Sequence, residues 1–507
     1  MPALRRRIGT LALCLTAFIT SIDVFVLLLA LPAIGRDLGA SAIELLWITD
    51  VYGFVLVGFM LTAGTLGDRI GRRRLLLIGS VMFAVASIVA AFAETPSTLI
   101  AARAVLGLAG STLAPTSLAL ISSMFHDPRT RASAISLWQL CFMGGALIGP
   151  ILGGVVLEYL WPGSVFLLGV PAMLLLLAVA PWAIPESKDA SAGSLDLVSV
   201  GLCLGMILPT IYALKEFVSA GANILPLVMI VVGVACGIAF VARQRRIEDP
   251  LLDVRLFADR RFTAIVVIMV LLTTLSSLTY FVTQFLQLVR DMTPLGVAFA
   301  LVPAAVTSLI GIAAAPPLAR LMRPAFVIAG GMLVAASGAV LIGIASSLVQ
   351  DEGIATWTIL GLALVTLGNS PAVTLGTVMI LETAPPARAG SGAAIAETGT
   401  ELGFSLGIAV LGSVALVAYR SALRLPEGTS SDIIERSRDG LGGAIATGLP
   451  EVIDAGREAF TSSLGAAVIV GAGIALTIGS LALFFLRTIP HLSREMRSDQ
   501  QGQLAQD

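Results

Sequence analysis

The chain is a near-unbroken series of apolar runs, each about 20 to 30 residues long and separated by short charged or Pro/Gly-rich breaks. About 20 apolar residues in a helix cross a hydrocarbon core roughly 30 Å thick, and inside that core each backbone N–H and C=O must find its partner within the segment. The pattern therefore predicts an all-α membrane protein. Composition agrees, since 57% of the 507 residues are apolar and only 12% charged, which leaves no aqueous domain. The runs predict helices at 9–34, 45–67, 75–93, 98–122, 133–157, 163–184, 198–216, 222–243, 262–289, 295–322, 324–349, 355–382, 391–419 and 461–487, fourteen in all. The first is too long, and too polar at "TSIDVF", to be a cleaved signal segment.

Positive residues fall in alternate loops, and short positive loops stay cytoplasmic. One side holds Arg5, Arg6, Arg7, Arg69, Arg72, Arg73, Arg74, Arg129, Arg131, Lys188, the six Arg between 243 and 261, Arg320, Arg323, Arg388, Arg487, Arg494 and Arg497. The opposite short loops hold Arg36, Lys215 and Arg290, which predicts cytoplasmic termini. The longer segment 420–460 is predicted to lie outside, as short helices or a hairpin that serves as a lid or a connector.

Cys14, Cys141, Cys203 and Cys236 all fall in apolar runs, none spaced for a metal or a disulfide framework, and read as small packing residues. His126 and His491 sit in polar segments, so the predicted bilayer core offers no imidazole for a hydrolase or a metal enzyme. There is no GxxxxGK[ST] phosphate loop. No metal, cofactor or nucleic-acid partner is expected, and uphill work must draw on an ion gradient.

Ionisable groups at membrane depth cost several kcal/mol to insert and are functional hypotheses by default. Asp23, Asp50, Arg103, Glu397 and Glu401 qualify. Asp23 lies about 20 Å in from Gly9, and Glu397 and Glu401 roughly 9 and 15 Å in from Ser391. Glu397 and Glu401 share one helix face, beside Gly390, Gly392, Gly399 and Gly403. Two carboxylates so close cannot both ionise cheaply and would titrate as a coupled pair. A lipophilic cation arriving there would compete with a proton, the simplest basis for exchange. The alternative is a pair of acids satisfied by Arg or backbone donors.

Specific motifs then carry a resemblance. "GTLGDRIGRRR" (64–74) resembles the loop signature between the second and third helices of the major facilitator superfamily, with Gly64, Asp68, Arg69, Gly71 and Arg72 in its gating positions. Gly64 and Gly71 permit close packing and a tight turn, and Asp68 can cap the next helix or pair with an arginine. "ARAVLG" (102–107) resembles the fourth-helix motif, whose arginine, here Arg103, the resemblance assigns to proton relay. "GALIGPILGG" (145–154) is similar to the antiporter motif of the fifth helix, carried by Gly145, Gly149, Pro150, Gly153 and Gly154.

With fourteen spans, the whole chain resembles the drug:proton antiporter branch of that superfamily, especially exporters of quaternary ammonium antiseptics. The resemblance implies two six-helix bundles of inverted three-helix repeats plus an inserted pair: 1–187, an insertion at 188–261, 262–490, and a tail at 491–507. It places proton coupling and cation binding at Asp23, Asp50, Glu397 and Glu401, within a monomer whose partners are lipophilic cations, protons and the bilayer. Trp138, Met143, Tyr280, Phe281 and Gln284 are candidate cavity walls. Two departures stand out: the tenth span offers only Thr307 and Ser308 where some relatives carry an acid, and "PPLARLMRP" (316–324) keeps its arginines without the aspartate. The alternative function is transport of an endogenous metabolite on the same fold.

Overall fold

The protein is represented by a computed structural model that describes residues 3–125, 128–188, 196–220, 224–247, 254–348, 353–383 and 389–487. Among these the ordered structure is helical, with no strand. Two compact units divide the chain, Met1–Leu251 with Asp291–Phe299, and Leu252–Arg290 with Ala300–Asp507. The first holds α1 (Ala3–Leu38), α2 (Ala42–Ile70), α3 (Arg72–Ala91), α4 (Pro96–Met124), α5 (Pro128–Tyr159), α6 (Gly169–Ala183, entered by a 3-10 turn Pro162–Leu168), α7 (Leu197–Ala220) and α8 (Ile224–Gln244). The second holds α9 (Arg260–Ser276), which runs on as α10 (Leu278–Gln284) and a π-turn Phe285–Val289. Next come α11 (Pro294–Ala300), whose first residues group with the first unit, and α12 (Val302–Leu321), α13 (Pro324–Leu348), α14 (Ile354–Thr383) and α15 (Ala389–Ala422). α16 (Ser431–Arg438), α17 (Leu441–Ala446) and α18 (Pro450–Phe485) close the chain.

Local chemistry sets these boundaries. Ser41 and Glu44 form a reciprocal capping box at the start of α2. Thr95 caps α4 with Pro96 at its first turn, and Asp259 caps α9. Hydroxyls within the apolar helices donate to carbonyls three or four residues back, as Thr10, Thr20 and Thr374 do, which satisfies them without water. α18 begins at Pro450 rather than the expected 461, because an amphipathic stretch continues the apolar run as one helix.

Twelve helices in the described residues are long and apolar enough to cross a membrane. α2 and α7, parts of whose side chains lie outside the described residues, are not among the twelve. Outward faces are apolar, as with Val231 and Ile238 of α8 and Val85 and Val89 of α3, which suits contact with lipid.

The two units share six helix-pair contacts. In the first, α1 packs on α4, α5 and α6, α2 on α4, and α3 on α4 and α6. With α9, α12, α13, α14, α15 and α18 taken as helices one to six, the second has the same six pairs. Exchange of helices one, two and three for four, five and six maps the scheme onto itself. That is the contact pattern of two related three-helix repeats.

Candidate functional site

The most deeply charged place in the first unit is an ion pair. Arg103 of α4 is 1% exposed and Asp23 of α1 is 7% exposed. Arg103 Nη1 donates to Asp23 Oδ2 at 2.7 Å and Arg103 Nε donates to the Ile48 carbonyl of α2 at 3.2 Å. The guanidinium lies 4.5 Å from the Tyr52 ring centroid and 6.0 Å from that of Phe166. One arginine thus ties α1, α2 and α4 at depth. Gly107 and Gly110 make room for this: a β-carbon at Gly107 would stand 3.0 Å from Tyr52 Cα, and one at Gly110 would stand 2.8 Å from the Tyr52 hydroxyl. Asp50, between Ile48 and Tyr52 on α2, is 5% exposed.

A glycine seam seats the helix that carries Asp23. Gly145, Gly149 and Gly153 recur every fourth residue on α5 and meet Phe18, Ile22 and Val26, spaced the same way on α1. A β-carbon at Gly149 would lie 3.2 Å from Ile22 Cα. Gly154 falls off the seam and faces Leu295, while Pro150 lies inside the helix.

The second unit has the matching seam. Gly399, Gly403 and Gly407 of α15 face α9, and Thr274 Oγ1 donates to the Gly403 carbonyl at 2.9 Å. Glu397 and Glu401 lie in α15, two residues or about 200° of helical turn from these glycines, and their side chains lie outside the described residues. Thr307 and Ser308 bond across to α14, to Thr366 at 2.9 Å and to Ser370 at 2.7 Å.

At the loop between α2 and α3, Gly71 adopts φ of 111°, where a β-carbon would also stand 2.7 Å from the Glu186 carboxylate. Glu186, from beyond α6, meets the first turn of α3: Glu186 Oε1 accepts from the Arg73 amide at 3.0 Å, and the Ser187 carbonyl accepts from the Arg72 amide at 2.9 Å. The Arg73 side chain donates to the carbonyls of Pro181 at 3.2 Å and Ile184 at 3.1 Å, where α6 ends. Arg323, at the start of α13, donates to the Arg487 carbonyl at 3.0 Å, just past the end of α18. The half that lacks the aspartate keeps this clasp. Gly64 and Asp68 lie in α2 with side chains outside the described residues, and Arg69 is exposed.

Taken together, these sites lie in repeated helical bundles, and the sequence pattern of the Major Facilitator Superfamily matches residues 13–408. The chain belongs to the Major Facilitator Superfamily. Membership makes it a multi-pass membrane transporter rather than an enzyme. Among superfamily relatives, the multidrug efflux pump LfrA of Mycolicibacterium smegmatis is 35% identical over 94% of this chain and 95% of its own length. The methyl viologen resistance protein SmvA of Salmonella typhimurium is 32% identical over 94% of this chain and 97% of its own. A solved superfamily-type fold, a bacterial homologue of the human lysosomal transporter Spinster, superposes with a TM-score of 0.66 at 14% identity, covering 95% of this chain and 96% of that one.

Within this facilitator the sequence motifs name one side of each contact and miss the other. Tyr52, Ile48 and Glu186 carry no motif, although an aromatic one turn from a buried guanidinium's backbone acceptor is a usable sign. Of the candidate cavity walls, Trp138 Nε1 donates to Ser117 Oγ at 2.9 Å and ties α4 to α5, and Phe281 and Gln284 are buried. Among the described residues no cluster of three His, Cys, Asp or Glu could hold a metal.

A second clasp joins α7 and α8. Arg243 Nη2 lies 2.9 Å from Asp196 Oδ1, Ser199 bonds the same carboxylate, and Gln244 donates to Ser199 Oγ. Burial pushes the Asp196 carboxyl up, but the Arg243 and Ser199 hydrogen bonds outweigh it and hold the carboxyl below the usual carboxylate range. A lowered folded value stabilises above the unfolded value, near pH 3.9, and is lost as pH falls through the folded one. The clasp should hold at neutral pH: Asp196→Asn is expected to lower the melting temperature at pH 7, with a smaller difference from the parent at pH 3. An equal deficit at both pH values would contradict this.

Proposed function

We propose that the protein is a proton-coupled antiporter that exports lipophilic cationic drugs, antiseptics and dyes across a bacterial cytoplasmic membrane. The buried Asp23–Arg103 pair supports this reading most. Asp23 lies at depth 2.7 Å from Arg103, so a proton or a cationic ligand reaching Asp23 competes with that guanidinium. Protonation would release Arg103 toward its remaining partners, Ile48 and Tyr52, and shift the contacts between α1, α2 and α4. The printed names of the relatives, a multidrug efflux pump and a methyl viologen resistance protein, support drug efflux as the direction of transport.

On this reading all fourteen predicted helices span, α2 and α7 included. Residues 1–187 and 262–490 form the two bundles, α7 and α8 are the insertion, and both termini with the 491–507 tail are cytoplasmic. The protein works as a monomer. Asp50, Glu397 and Glu401 share cation binding and proton coupling with Asp23, and the loop 64–74 gates the cytoplasmic side.

The test is proton release from proteoliposomes on addition of a quaternary ammonium dye. Asp23→Asn and Glu397→Gln are each expected to cut dye export and coupled proton release at least tenfold while the protein still reconstitutes. Unchanged export in both variants would overturn the mechanism, and no dye binding by the parent protein would favour a metabolite transporter.

A further inference from the structure

Cys14 of α1 and Cys141 of α5, which carry no motif, meet in space. They are neighbours across the α1–α5 contact, Cys14 is 2% exposed, and both are free thiols. The contact extends the glycine seam by one rung: Cys14, Phe18, Ile22 and Val26 step every fourth residue along α1, and Cys141, Gly145, Gly149 and Gly153 do so along α5. Each α1 residue meets the α5 residue of the same rung, so the two helices run parallel in constant register. On the three glycine rungs α5 presents only backbone, met by the Phe18 carbonyl, by Ile22 Cα and by the Val26 side chain. The first rung alone brings two side chains together, and both end in sulfur.

We propose that Cys14 and Cys141 form a dithiol site for one soft, two-coordinate metal cation of the Hg(II) class, and that its binding staples α1 to α5. Thiolate is the ligand such cations select over oxygen and nitrogen. With uncharged HgCl2 as the reagent, two S–H bonds break and two S–Hg bonds form, two protons pass to water, and two chlorides leave. No electron is transferred. α1 also carries Asp23, nine residues further on, so the staple fixes the helix that holds the buried acid.

The remaining thiols are separate. Cys203 packs against the Phe54 and Ile207 cluster, and Cys236 faces Gly205. The experiment uses the full chain carrying Cys203→Ala and Cys236→Ala, treated with one equivalent of HgCl2, then alkylated with N-ethylmaleimide in denaturant and weighed intact. The expected result is one Hg per chain with both thiols unalkylated. Release by excess 2-mercaptoethanol should be about 10²-fold slower than from the same chain with Cys14→Ala or Cys141→Ala added, because the second sulfur acts intramolecularly. Phenylarsine oxide, which closes on paired thiols with loss of one water, should likewise protect both. On the unmutated chain it should protect two of the four thiols, which covers the case of a variant that fails to fold. Two Hg per chain, Hg-linked dimers, or equal release from paired and single thiols would overturn the site.

Discussion

Arg103→Ala is expected to lower the unfolding free energy by about 3–5 kcal/mol and to abolish transport, the largest effect foreseen for any single side chain of this protein. The substitution removes the partner 2.7 Å from Asp23 and leaves a carboxylate, 7% exposed, with that charge uncompensated. It also strips a donor from the Ile48 carbonyl and empties the space over Tyr52. If the unpaired charge is the chief cost, adding Asp23→Asn should recover a large part of the stability while transport stays absent. Thermal unfolding of the two single variants and the double variant in detergent forms the cycle that measures this. Strictly additive losses would show that the two residues are not energetically coupled, which the geometry forbids for a buried contact pair.

Gly149→Val is expected to cost at least the 1–3 kcal/mol typical of overpacking and to reduce transport by more than tenfold, although the residue is neither charged nor polar. Its β-carbon alone would stand 3.2 Å from Ile22 Cα, and the branched methyls would need space that main chain occupies. Backbone cannot rotate aside as a side-chain tip can, so α1 must move off α5 and carry Asp23 with it. Gly144 supplies the control. A β-carbon there meets only Phe18 Cε2, at 3.9 Å, so Gly144→Ala should leave stability within about 0.5 kcal/mol of the parent. A Gly144→Ala defect equal to that of Gly149→Val would mean that the helix tolerates no glycine loss at all, and that the seam is not the cause.

What the sequence made legible follows from what one dimension can show. A charge inside an apolar run is visible at once, so Asp23, Asp50 and Arg103 could be picked out. That Arg103 sits on Asp23 could not, because the pairing is made across two helices far apart in sequence and closed over by a third, α2, whose Tyr52 is admitted by Gly107 and Gly110. The glycine stripe of α5 was readable as a smooth face, yet nothing in it names Phe18, Ile22 and Val26 as the facing residues. Asp68 is visible through its place in a loop motif, whereas Glu186, which accepts from the Arg73 amide, comes from beyond the far end of α6, where only the folded chain brings it near. The last helix was read as starting at 461 because the apolar run starts there, but helical hydrogen bonding begins at Pro450, in residues whose polarity suits water. The four cysteines are free, as small packing residues can be, and the nearness of Cys14 to Cys141 follows from the common step of two parallel helices, which spacing along the chain does not show.

The arginine clasps at the ends of α6 and α18 have a consequence for how such a chain can change over time. Arg73 and Arg323 grip peptide carbonyls, and a carbonyl is present whatever side chain stands at its position. Drift at Pro181, Ile184 or Arg487 therefore does not delete the acceptor, and only the arginine itself is under constraint. A closure built this way outlasts the loss of a neighbouring acid. The second-half loop, which has arginines and no aspartate, need not be a decayed copy of the first: it keeps the part of the device whose partner mutation cannot remove.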